Sequence, residues 1–224
     1  DFFDYYLQNS HIGYFFTILC LAILINGSNF MDGLNILVVG YFLIVTYVVF
    51  HLSNNFDLEL DFYLVKIILA TLLVIFAFNF FGLLFLGDSG AYLISFVIGC
   101  ILIHFSYDNN HIVSPYFIAC MLWYPAYENL FSIIRKKINK KSATKPDMTH
   151  LHQLLYIFVR NKLSYSDKSI NTLTGFIVIF FNLLILIIGA KNFNDSKILI
   201  LLIISSVIFY NFIYYYLKNK NRTS

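Results

Sequence analysis

An all-α, polytopic membrane bundle of about seven spanning helices is the fold class this sequence predicts. Composition is the first reason: 59% of residues are hydrophobic, 12% are charged, and the mean hydropathy is +0.75. A soluble domain carries roughly 45–50% apolar and about 25% charged residues. Run length is the second, because several apolar runs approach the ~20 residues a helix needs to cross a bilayer. The third is that the polar groups gather at the breaks between runs, where an ionisable residue is least costly.

The first run, 12–25, is short and can extend back through Tyr5, Tyr6 and Leu7. Runs 36–53 and 62–86 follow, and between them Asp57, Glu59 and Asp61 read as a solvated outer loop. Run 91–106 comes next, then 112–134, where Pro125 is tolerable as a kink because neighbouring helices can satisfy the freed backbone groups. Runs 172–190 and 197–217 complete the set. Residues 135–171 form the one sizeable polar insert, expected to be a basic cytoplasmic loop within a single transmembrane domain covering 1–224.

Charge placement orients these spans. Nine of the 15 Lys and Arg residues lie in 135–171, and Lys218, Lys220 and Arg222 follow the last run. By the positive-inside rule the insert and the C-terminal end face the cytoplasm. Alternation then places 26–35 and 87–90 on that same face. With Glu128 close before the insert, a cytoplasmic cleft lined by Asp32, Asp88, Glu128 and the insert is expected.

A net charge of +3 is too small to argue for nucleic acid. Cys20, Cys100 and Cys120 stand alone in apolar runs, which argues against a disulfide framework or a cysteine metal site. Asp1 opens the chain without Met or a basic segment, so no signal peptide is expected, and a fragment of a longer protein is.

Three polar motifs carry the chemistry. Asn26-Gly-Ser-Asn29-Phe-Met-Asp32-Gly33-Leu34-Asn35 holds more polar groups than one helix cap requires. Asn29 and Asp32 share a face if that stretch is helical. Leu86-Gly87-Asp88-Ser89-Gly90 places a carboxylate at a glycine turn. That geometry suits either an N-cap or a hard cation shared with substrate phosphates. Pro146-Asp147-Met148-Thr149-His150-Leu151-His152-Gln153 supplies two histidines in the insert. They point the same way in extended chain and opposite ways on a helix, and they read either as surface histidines or as contacts for an anionic phosphate.

Taken in order, Asn-x-x-Asn-x-x-Asp-Gly-x-Asn, Gly-Asp-Ser-Gly and Pro-Asp-x-x-His-Leu-His resemble the polyprenyl-phosphate N-acetylhexosamine-1-phosphate transferases. That superfamily, glycosyltransferase family 4, includes the phospho-N-acetylmuramoyl-pentapeptide and undecaprenyl-phosphate GlcNAc-1-phosphate transferases. The likeness spans about residues 12–160. It implies that Asn29 and Asp88 hold Mg²⁺, or Mn²⁺ in its place. It implies catalytic roles for Asp32, Asp88, His150 and His152, and substrate contacts for Asn26, Asn29, Asn35 and Asp147, with Asn35 near uracil. Three departures stand out. The family's adjacent Asp-Asp pair is not found upstream of Asn26, Glu128 stands where many relatives have Asp, and Gln153 stands where many have a further His.

The resemblance implies an Mg²⁺-dependent enzyme of the bacterial plasma membrane with its site on the cytoplasmic face. It would move an N-acetylhexosamine 1-phosphate from a UDP-sugar to polyprenyl phosphate, release UMP and initiate cell-envelope glycan synthesis. Its partners would be the UDP-sugar, polyprenyl phosphate and membrane lipids, with no nucleic acid, and a homodimer is compatible. The alternatives are a truncated chain that binds UDP-sugar without turnover, and a membrane transporter with polar groups near mid-span.

Overall fold

The computed structural model describes residues 10–138 and 149–223, and among these it contains helices and turns but no strand. In chain order the helices are α1 (Ser10–Met31), α2 (Leu37–Phe56), α3 (Phe62–Phe80), α4 (Gly87–Asp108), α5 (Pro115–Met121), α6 (Trp123–Ile138), α7 (Leu151–Arg160), α8 (Asp167–Lys191) and α9 (Ser196–Thr223). Six are long and apolar enough to cross a membrane, and a seventh span is completed if α5 and α6 count together.

That seventh span is not the straight helix that run 112–134 suggests. α5 and α6 meet at 71° across Leu122. Pro125 does not make the break; it lies in the first turn of α6, where its missing N–H deprives the helix of nothing. A carbonyl freed at the bend, Met121 O, accepts a bond from the buried Tyr41 hydroxyl at 2.7 Å.

α2 is the central post. Leu37, Val38, Val39, Tyr41, Phe42 and Val45 are each no more than 1% exposed, and α3 and α8 pack along this helix. α1 lies between α4 and α6, while α9 covers α5 and α7. Tyr63, Ile67, Leu73, Val74 and Phe78 of α3 face outward. Such an apolar surface would be a liability in water and is ordinary in hydrocarbon.

Between membrane helices, close packing and hydrogen bonds replace the hydrophobic effect. Gly27 of α1 presses on the carbonyl of Pro125 so tightly that a Cβ there would overlap it. Asn129 of α6 donates to Ile23 O of α1 at 3.1 Å, and Asn211 of α9 donates to the Tyr127 hydroxyl at 2.5 Å. Each such bond contributes about 0.6 kcal/mol.

Two boundaries move relative to the sequence reading. α1 runs on through Asn26 and Asn29, so only 32–36 is a turn, and α4 begins at Gly87, so Asp88 lies in its first turn. The insert 135–171 is not a plain loop either: α6 continues to Ile138 and α7 occupies Leu151–Arg160. In the outer loop, Asp61 does more than face water, since it caps α3 by accepting from Leu64 N at 3.0 Å.

Candidate active site

The two acidic turns meet. Asp32 follows the last residue of α1, where its N–H bonds Asn29 O at 3.1 Å. Its carboxyl lies beside the backbone N–H of Gly87, next to Asp88. Burial pushes the Asp32 carboxyl up to about 6; the nearby Gly87 N–H opposes this and the neighbouring Asp88 charge adds to it. Gly87 has φ +65°, a left-handed conformation that glycine adopts without strain. Asp88 makes no N-cap, because Leu86 holds that position and no side chain caps the helix.

Asn29 reaches the same helix. Its Nδ2 donates to the Tyr92 hydroxyl at 2.6 Å, and Tyr92 is one turn beyond Asp88 on α4, hence on the same face. The amide nitrogen is thereby committed and the amide oxygen is left for a ligand. Asn26 is used differently, donating to Ala22 O of its own helix at 2.7 Å. Tyr92 was not singled out from sequence; its spacing from Asp88 was the available signal.

These donors fit Mg²⁺. They are all oxygens, and Asn29 and Asp88 would be the holders with Asp32 alongside. Among the described residues no group of three or more His, Cys, Asp or Glu could enclose a metal. Mg²⁺ needs only one or two carboxylates, its other positions going to water and substrate phosphate. A closed zinc cage would need four protein ligands.

The rest of the first motif is clamped rather than loose. Asn35 N–H donates to Asn171 Oδ1 of α8 at 2.6 Å, and Ile36 N–H donates to Asn79 Oδ1 of α3. Asn79 in turn donates to Leu84 O at 2.7 Å. Ile36 sits at φ 64°, strained for a β-branched residue by roughly 1–3 kcal/mol. Two side-chain amides hold it there, so this turn is over-determined by its surroundings.

The histidines are not surface residues: His150 is 4% exposed and His152 0%. His150 is the extended N-cap of α7, and Gln153 Oε1 accepts its N–H at 3.1 Å. The residue that departs from the family pattern is thus the partner in a capping box. The two rings stack with centroids 5.7 Å apart and 17° between planes. Both turn to Glu128 of α6, which is fully buried behind them and lines no cleft. His150 Nδ1 donates to Glu128 Oε2 at 3.0 Å, and the Tyr124 hydroxyl donates to Oε1 at 3.3 Å. His152 Nδ1 lies 3.9 Å from Oε1, too far to bond, and neither of its ring nitrogens has a hydrogen-bond partner. Burial pushes the His152 imidazole down despite the carboxylate, which keeps it neutral.

Gly33 joins the two halves of the site. A Cβ there would lie 2.8 Å from His152 Nε2, so the turn that carries Asp32 rests directly on the histidine pair. The structure therefore links Asn29, Asp32, Asp88, His152 and His150 through successive contacts. Asp147 lies outside the described residues. The polar groups at the Asp32 and Asp88 turns stand at helix ends rather than at mid-span, unlike the transporter arrangement.

Two basic residues at the head of the insert are buried, which sequence did not suggest. Arg135 Nη1 donates to Thr149 O at 2.7 Å and its guanidinium lies 5.5 Å from both the Phe131 and Tyr214 ring centroids. It ties the approach to the histidines onto α6 and α9.

Comparison with known proteins accords with this geometry. Residues 2–106 match the family described as glycosyl transferase family 4. The chain is 29% identical over 150 residues to a probable undecaprenyl-phosphate N-acetylglucosaminyl 1-phosphate transferase of Bacillus subtilis (strain 168). That alignment covers 66% of this chain and 41% of the relative, so the chain spans about two fifths of the relative's length. No solved structure matches. The two findings support the polyprenyl-phosphate sugar-phosphate transferase superfamily, a class of multi-pass membrane transferases. The family match includes Asn29, Asp32, Asn35 and Asp88 and ends before His150 and His152.

Proposed function

We propose that this protein moves an N-acetylhexosamine 1-phosphate from a UDP-sugar to polyprenyl phosphate and releases UMP. One observation carries the reading: the Asp32 and Asp88 turns, far apart in sequence, come together, the Asp32 carboxyl lying beside Gly87 and within reach of the Asp88 charge. An oxygen of the lipid phosphate bonds to the sugar-bearing phosphorus. The bond from that phosphorus to the bridging oxygen breaks, and UMP departs with that oxygen.

Two anions must approach one another, so positioning and charge neutralisation dominate. Asn29 and Asp88, with Asp32 beside them, would hold Mg²⁺, which when bound offsets the diphosphate charge. The Asp32–Asn35 turn, fixed by Asn79 and Asn171, supplies a rigid edge for the nucleotide. The histidine pair backs that turn. The basic residues near it draw anionic substrates, and the charge asymmetry of the spans supports a site on the cytoplasmic side.

The test is transfer in membranes containing the protein, supplied with UDP-GlcNAc and undecaprenyl phosphate. Mg²⁺-dependent formation of an organic-extractable sugar product is expected, with loss of at least a hundredfold in Asp88→Asn. Equal product from Asp88→Asn or in EDTA would refute the reading.

A further inference from the structure

Glu128 has no assigned part in the site, yet it is the carboxylate on which the histidine pair is built. It is 0% exposed, and an ionised carboxylate there survives only if it is bonded. The bonds come from His150 Nδ1 at 3.0 Å and the Tyr124 hydroxyl at 3.3 Å. The titratable groups around it are Tyr124 and Tyr127 on its own helix, His150 and His152 at the start of α7, and Tyr210 on α9.

We propose that Glu128 is a positioning residue: by accepting from His150 Nδ1 it fixes that ring's tautomer and leaves Nε2 as its one proton-exchanging nitrogen. A carboxylate can only accept, so the atom facing it must carry the proton. The neutral His150 ring then has its open lone pair on Nε2. Rotation of the ring is restricted by Phe30 of α1, at 5.0 Å between centroids, and by stacked His152 at 5.7 Å. A buried carboxylate bonded to one imidazole nitrogen commonly orients the other in this way.

The functional consequence rests on the sugar-phosphate transfer reading. With its Nδ1 proton held, His150 offers Nε2 to the phosphate, accepting from a P–OH when neutral and donating to a phosphate oxygen when protonated. A mobile ring would present either nitrogen and would spend part of its time in the wrong form. Glu128 itself touches no substrate and acts through His150.

The experiment is ¹⁵N-histidine NMR on the full chain in nanodiscs near pH 8, with His150 assigned by its loss in His150→Gln. The wild-type ring should show a protonated Nδ1 and an unprotonated Nε2 as a single tautomer. Glu128→Gln keeps the volume but presents both a donor and an acceptor, so a mixture of tautomers is expected; Glu128→Asp should restore one. In the transfer assay Glu128→Gln should lower kcat about ten- to hundredfold with KM for the UDP-sugar within about twofold, and Glu128→Asp should recover most of it. An Nε2–H tautomer in the wild type overturns the proposal, and that spectrum decides even if Glu128→Gln does not fold. A single Nδ1–H tautomer surviving in Glu128→Gln overturns it equally. If the wild-type protein transfers no sugar phosphate, the functional reading fails while the tautomer result stands by itself.

Discussion

The carboxyl group of Asp32 lies beside the N–H of Gly87 and within electrostatic reach of Asp88. Two acids held together cost energy unless a proton or a cation intervenes. Their pairing is therefore the strongest internal reason to expect a divalent ion here.

That cost has a sign in pH. The folded carboxyl of Asp32, raised to about 6 from 3.8, keeps a proton that the unfolded chain has already lost. Stability from this group is complete below about pH 3.8 and is lost as pH rises through about 6. His152 runs the other way: its depressed imidazole contributes stability above the ordinary value of 6.5 and loses it on acidification. Comparison within Asp32→Asn isolates the first effect. In EDTA at pH 7 that variant should unfold at a higher temperature than wild type, by about 1 kcal/mol after allowing for solvent screening. The gap should close near pH 4. A variant less stable than wild type at pH 7 would contradict the assignment.

Gly33 tests the contact between the acidic turn and the histidines. Gly33→Ala places a methyl 2.8 Å from a buried ring nitrogen, and overpacking of this kind costs about 1–3 kcal/mol. His152→Ala opens that space. In a double-mutant cycle read by thermal unfolding, the two substitutions together should cost less than their sum. Strict additivity would place His152 away from the turn.

Topology is open to direct labelling. In a cysteine-free background, Ser164→Cys should react only from the cytoplasmic side and Asn55→Cys only from outside, as the charge asymmetry requires. Reaction of both from one side would break the alternation of spans on which the cytoplasmic site depends.

Much of this was legible in the chain. Apolar runs of the right length gave the spans, and the two polar motifs pointed to Asp32 and Asp88 because carboxylates are costly beside hydrocarbon. The bend at Leu122 was not legible, since Pro125 drew attention three residues too far on. Nor was the burial of His150 and His152: local spacing cannot reveal that a carboxylate on another helix lies 3.0 Å from one ring. Arg135 was hidden for a similar reason, because a basic run beside a span normally reads as topology signal, and only packing shows one member bound between two rings. Asn79 and Asn171 escaped notice as single amides inside or at the edge of apolar runs, where nothing local marks the turn they clamp.

The central claim is that the sugar leaves together with a phosphate, and isotope placement tests it most directly. UDP-GlcNAc carrying ³²P only at the sugar-linked phosphorus should deliver that label to the undecaprenyl product, in an Mg²⁺-dependent reaction that Asp88→Asn abolishes. The same donor labelled at the nucleoside-linked phosphorus should leave all its label in water-soluble UMP. Sugar reaching the lipid while both labels remain in soluble UDP would contradict the account, because the protein would then transfer a glycosyl group and not a sugar phosphate.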